Sequence, residues 1–140
     1  DYRATGLLRE ASHEIDLACW LADARPQAVW GAVESDFAQV GIIFGADRRA
    51  FITLDARPGV SYERGVYDLA QSWHFDFEAH ADQLADAYRR EMATVAMLAI
   101  GGYAPHASAM ATAEDGVTVL EVIEAAERSS QAGGEIVSLR

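Results

Sequence analysis

Along the first part of the chain, Leu7, Leu8, Ala11, Ile15, Ala18, Cys19 and Ala22 recur every three or four residues, which places them on one side of a helix. Thr5-Gly6 offers a capping start and Arg25-Pro26 a stop, so the pattern predicts a helix from Leu7 to Ala22. The pattern then changes period. Ala28 to Phe37 and Val40 to Phe44 are β-branched and aromatic runs, and the turn residues Gly45-Ala46-Asp47 separate them from Ala50 to Leu54; together they predict an antiparallel meander. Arg57-Pro58-Gly59 interrupts it, and beyond it stand two short strand candidates, Gly65-Val66-Tyr67 and the alternating stretch Ser72 to Phe77.

Helical spacing returns from Ala79 to Ala99, where Leu84, Tyr88, Met92, Val95 and Leu98 form an apolar stripe, Asp86 and Arg90 are placed to pair on the outer face, and Gly101-Gly102 marks the end. Thr112 with Glu114-Asp115 is an N-cap followed by acidic first-turn residues, predicting a last helix that buries Val119, Leu120, Ile123 and Ala126 and stops at Gly133-Gly134. Glu135 to Leu139 reads as a closing strand. The whole predicts one α+β domain over residues 1–140: a largely antiparallel sheet with helices packed on one face.

Charge narrows the function classes. The 140 residues carry 22 Asp and Glu against 11 basic residues, a net charge of −11, and all 11 are arginine. Such a field repels phosphate backbones and anionic lipid, which argues against nucleic-acid and membrane partners. With no lysine, a Schiff base or a phosphate-loop lysine has to come from another polypeptide. One cysteine, Cys19, permits no internal disulfide, and a cytoplasmic location is the expectation. Cys19 itself reads as an inert core residue.

The chemistry-bearing candidates cluster on the first helix. At about 100° per residue, Glu10, His13 and Asp16 fall on one face, so two carboxylates flank one imidazole. A carboxylate beside a histidine fixes its tautomer and raises its basicity, which suits a general base near neutral pH; a half-exposed histidine on a solvated acidic face is the competing reading. His13, His74, His80 and His106 lack metal-ligand spacing, so no metal site is expected. Gly41 to Gly45 and Gly101-Gly102 lack the three-glycine dinucleotide fingerprint, so no cofactor site is expected within the chain.

Three segments, in order, resemble one family. Gly6-Leu7-Leu8-Arg9-Glu10-Ala11-Ser12-His13-Glu14-Ile15-Asp16-Leu17 with Trp20-Leu21, then Asp86-Ala87-Tyr88-Arg89-Arg90-Glu91-Met92 with Ala99-Ile100-Gly101-Gly102, then Thr112-Ala113-Glu114-Asp115-Gly116 with Glu124 to Ser130 and Gly133 to Val137, are similar to the C-terminal domain of the Gfo/Idh/MocA oxidoreductases. The resemblance implies the substrate and oligomerisation domain of an NAD(P)-dependent dehydrogenase acting on sugars or cyclitols. It implies His13 as the group exchanging the substrate hydroxyl proton and Asp16 as an orienting or substrate-binding carboxylate. Arg9 stands where many members carry an aspartate, leaving Glu10 the nearest acid, and the stretch from Ala50 to Phe77 is shorter than the family sheet.

In that family the Rossmann half and the lysine of its EKP motif precede this domain, and neither is in this sequence. The implied NAD or NADP would therefore be held by a separate or fused Rossmann domain, with a small polyol or sugar as substrate and no hydride transfer by this chain alone. The resemblance also implies a homo-oligomer formed through the sheet face, here carrying Trp30, Val33, Phe37, Ile42, Phe44, Phe51 and Ile52. The alternatives are a shortened, non-catalytic relic acting as an oligomerising or small-molecule-binding module, and an unrelated small-molecule-binding α+β domain.

Overall fold

The computed structural model describes residues 8–46, 48–55, 57, 63–68, 73–76, 81–103 and 110–140, with backbone alone for 63–68, 73–76, 81–85, 87 and 88. The proposed Thr5-Gly6 cap, His80 and His106 lie outside the described residues. The described chain is α+β, with an antiparallel sheet and two helices packed against it.

Helix α1, Ser12–Ala22, follows a helical turn at residues 8–10, and Leu8, Ala11, Ile15 and Ala18 are buried along it. It ends at Ala22, as expected, where Asp23 adopts a left-handed conformation (φ 45°) and its N–H closes onto the Trp20 carbonyl. Arg48 donates to the carbonyl of Ala22, one of the orphan acceptors at the end of the helix.

Strands β1, Ala28–Val33, and β2, Phe37–Ile43, divide the run expected as Ala28 to Phe37. The break is the turn Glu34-Ser35-Asp36, in which Glu34 N–H donates to the Phe37 carbonyl and Ser35 Oγ to Asp36 Oδ1. Three consecutive polar turn residues outweigh the apolar flanks. Next come β3, Arg49–Asp55, β4, Glu63–Asp68, and β5, Trp73–Asp76, so both short candidates are strands. Helix α2 spans Ala81–Ala99, helix α3 Ala113–Gln131, and β6 is only Val137–Ser138. The sheet order is β5-β4-β3-β2-β1-β6, every pair antiparallel.

Strand alternation decides what lies under the helices. Val29, then Ala38, Val40 and Ile42, then Ala50, Ile52 and Leu54 are buried against Ile15 and Ala18 of α1 and Val122, Ile123, Ala125 and Ala126 of α3. The seven residues expected on one exposed sheet face are therefore divided. Ile42, Phe44 and Ile52 belong to this core and Val33 packs against it, whereas Trp30, Phe37 and Phe51 alternate onto the opposite face. There Trp30, Gly41 and Phe51 stand in register, and a Cβ on Gly41 would lie 3.2 Å from the Phe51 ring and 3.5 Å from Trp30. Near the opposite end of that face, Asp55 holds Arg57 with two guanidinium hydrogen bonds, and the guanidinium lies 4.9 Å from the centre of the Phe37 ring.

Helix α3 is seated by backbone contact. A Cβ on Gly31 of β1 would come 2.4 Å from the Ala126 carbonyl oxygen. Gly31 N–H donates to Ser129 Oγ at 2.9 Å and Val33 N–H to Ser130 Oγ at 3.0 Å, so two helix hydroxyls serve β1 beyond the point where β6 ends. The buried side of α3 is Thr118, Val119, Val122, Ile123, Ala125, Ala126 and Ser129. Leu120, expected inside, is 58% exposed, because it lies well over 90° around the helix from the Val122–Ala125–Ser129 row that meets the sheet.

Helix α2 forms where the apolar stripe and Gly101-Gly102 predict it. Among the described residues it packs closely on no strand or helix, and Met92, Val95 and Leu98, the later half of its apolar stripe, are exposed. Periodicity identifies an apolar side but not what covers it. The expected Asp86–Arg90 pair is replaced by Arg89 Nη1 donating to Asp86 Oδ1 at 2.7 Å.

Candidate functional site

Helix α1 and the N-terminal half of α3 pack together and leave between them an open cavity of about 690 Å³. Arg9, Ser12, His13 and Asp16 line one wall. These four lie within about 100° of one another around the helix, so they share a side, whereas the neighbouring Glu14 turns inward and is fully buried. Ala111, Thr112, Gly116, Val119, Leu120, Ile123, Glu124 and Glu127 form the other wall.

That second wall starts from a well-defined helix end. Thr112 Oγ1 accepts from Asp115 N–H at 3.2 Å, and the Asp115 carboxylate accepts from Thr112 N–H at 2.6 Å, a reciprocal capping box. Hydrogen bonds from the Thr112 backbone and hydroxyl hold the Asp115 carboxyl below its usual value, aided by Arg25. Arg25 in turn pairs with Glu114 at the exposed rim.

Asp16 has the opposite electrostatic state. Burial pushes its carboxyl above the ordinary aspartate value, the negative charge of Asp115 pushes the same way, and His13 partly offsets both. His13 is exposed, and no hydrogen bond joins it to Asp16 among the described residues. The two groups are coupled through space on the same wall. Behind them, burial with help from Asp16 and Asp115 pushes the Cys19 thiol up to about 12, so Cys19 is protonated and a poor nucleophile at neutral pH.

Of the three residues expected at the site, His13 and Asp16 share the cavity and Glu10 is exposed without being part of its lining. Arg9 and Ser12 stand there instead: Arg9 is one turn before His13, a position that the i, i+4 rule makes a neighbour. Glu124 and Glu127 of α3 carry no local signal linking them to His13, because only the α1–α3 packing brings them near. The cavity thus combines an imidazole, a guanidinium, hydroxyls from Ser12 and Thr112, three carboxylates, and an apolar patch of Val119, Leu120 and Ile123. Such a lining suits a small ligand with several hydroxyl groups, which carboxylates and guanidinium can bind as acceptors and donors. No group of His, Cys, Asp and Glu among the described residues is arranged to hold a metal ion. Comparison with protein-family models, with curated proteins and with solved structures gave no match in any of the three.

Proposed function

We propose that this chain is the substrate-binding domain of a sugar or cyclitol dehydrogenase of the Gfo/Idh/MocA type, working with a Rossmann half supplied by the same or another polypeptide. The observation that carries this reading is the placement of His13 and Asp16 on one wall of a polyol-sized cavity with Arg9 beside them. His13 takes the proton of the substrate hydroxyl whose carbon is oxidised, and Asp16 offsets the positive charge that forms on the imidazole. Arg9, Ser12, Glu124 and Glu127 orient the remaining hydroxyls.

The hydride acceptor in this reading is NAD or NADP, and the described residues do not fit it. The strands pair antiparallel throughout, with no strand-turn-helix unit whose glycines would cradle a pyrophosphate. The contribution of this chain is therefore restricted to binding and proton transfer. The exposure of His13 favours a second reading, a non-catalytic module that binds a small molecule in the same cavity.

The test titrates the purified chain with a panel of inositols, aldoses and alditols while following the His13 ring protons by NMR. The expected result is saturable perturbation of His13 by one of these polyols, abolished in Asp16→Asn with Arg9→Ala, and no NAD(P)-dependent turnover until a Rossmann partner is added. Turnover by this chain alone would overturn the division of labour. Binding that leaves catalysis unrestored by a Rossmann partner favours the second reading.

A further inference from the structure

We infer that the substrate is a hydroxylated six-membered ring lying in the gap between Asp16 and Gly116, where Gly116 leaves room for it and the Trp20 indole covers its apolar C–H face. The inference rests on the proposed polyol site and narrows its ligand. It starts from a glycine that the fold does not require. Gly116 sits inside helix α3, its N–H bonded to the Thr112 carbonyl at 3.2 Å, where glycine weakens a helix relative to alanine. Unlike Gly133 and Gly134 it has no positive φ, and a Cβ on it would meet no described atom within 4 Å.

The cavity accounts for it. At about 100° per residue, Thr112, Val119, Leu120, Ile123 and Glu127 all fall within about 60° of Gly116 around α3 and on both sides of it, so the missing side chain is at the middle of that wall. A methyl group there would project into the space between the helices. Glycine instead lets a ligand come close to the α3 backbone, at some cost to the helix.

The opposite wall supplies the other side of the gap. Arg25, just past α1, pairs with Glu114 in the first turn of α3, and the charge of Asp115 is felt at Asp16, so the C-terminal half of α1 lies beside the start of α3. Asp16 and Gly116 therefore line the same end of the cavity. Trp20 is one turn beyond Asp16 and about 20° from both Arg9 and His13 around the helix, which puts it on the cavity side. It is 64% exposed, and because Cα–Cβ bonds in a helix tilt toward the N-terminus, the indole is directed back toward Asp16. An indole face suits the C–H face of a saturated ring, while Asp16, Ser12 and Thr112 offer hydrogen-bonding groups to its hydroxyls. An open-chain polyol presents no such flat apolar face.

The test compares binding of inositols and methyl pyranosides with that of sorbitol and mannitol in the wild-type chain, Gly116→Ala, Trp20→Ala and Trp20→Phe, following the His13 ring protons and the Trp20 indole N–H by NMR. The expected result is tighter binding of a ring than of either alditol, weakened about tenfold by Gly116→Ala and about fivefold by Trp20→Ala, and largely retained in Trp20→Phe. Because alanine favours the helix, Gly116→Ala should at the same time raise the melting temperature by about 3 °C, an opposition of stability and affinity that a purely structural glycine would not give. Ring binding unchanged in both Gly116→Ala and Trp20→Ala, alditols bound as tightly as rings, or a melting temperature that falls together with affinity in Gly116→Ala would each overturn the inference and leave the polyol site standing. No perturbation of His13 by any of these polyols would overturn that site and this inference together.

Discussion

Asp16 and Asp115 show how one short stretch of packing gives two aspartates opposite titrations. Asp115 is held low by the Thr112 hydrogen bonds, while Asp16, half-buried, is held high by lost hydration and by Asp115 itself. The sign for stability follows. In the unfolded chain Asp16 ionises near 3.8. In the native state it keeps its proton to higher pH, so stability falls as pH rises from that value through the raised native one, and the deficit persists at neutral pH. Asp16→Asn removes it. The expected outcome is a melting temperature higher by about 2 °C at pH 7 and unchanged near pH 3, together with polyol affinity lower by about fivefold. Calorimetric melts at the two pH values and a binding titration check both halves; a lower melting temperature at pH 7 would mean that the charge of Asp16 is stabilising.

Between elements, the closest fit is α3 on β1, and it rests on the absence of a side chain at Gly31. A Cβ there meets the Ala126 carbonyl at 2.4 Å, and a backbone atom cannot swing away as a flexible side chain would. Moving α3 outward would lengthen the Ser129 and Ser130 hydrogen bonds to β1 and displace the second wall of the cavity. Gly31→Ala should therefore lose about 2–3 kcal/mol of stability despite the β-propensity gained, and weaken polyol binding as well. Urea unfolding with a binding titration is the check, and a neutral or stabilising effect would show that α3 is free to shift. This contact is invisible in a hydropathy pattern, where Gly31 interrupts an otherwise good strand. The pattern did suffice for α1, the strand cores of β1 to β3 and the Thr112 cap, because these depend on local period and turn chemistry. It also located α2, but it failed at Leu120, where the outcome depends on which side another element occupies. The site divides in the same way: His13 and Asp16 are one helical turn apart and readable together, whereas Glu124 and Glu127 reach the cavity through the fold.

For the molecule as a whole, the composition sets 22 carboxylates against 11 arginines. Ion pairs among the described residues include Arg25–Glu114, Arg57–Asp55 and Arg89–Asp86, the first and last between strongly exposed side chains. Exposed pairs contribute little, at most about 1 kcal/mol each. The net charge of −11 instead acts as a distributed self-repulsion, strongest when the chain is compact. Raising ionic strength from about 0.01 to 0.15 M shortens the screening length from ~30 to ~8 Å, which weakens this long-range repulsion more than it weakens short-range pairs. The native state should gain, and the melting temperature should rise by about 3–5 °C over that range at neutral pH. The measurement belongs to dilute protein, so that any easing of association between two −11 chains does not add to the shift. A melting temperature that falls with salt would place more stability in surface ion pairs than their exposure allows.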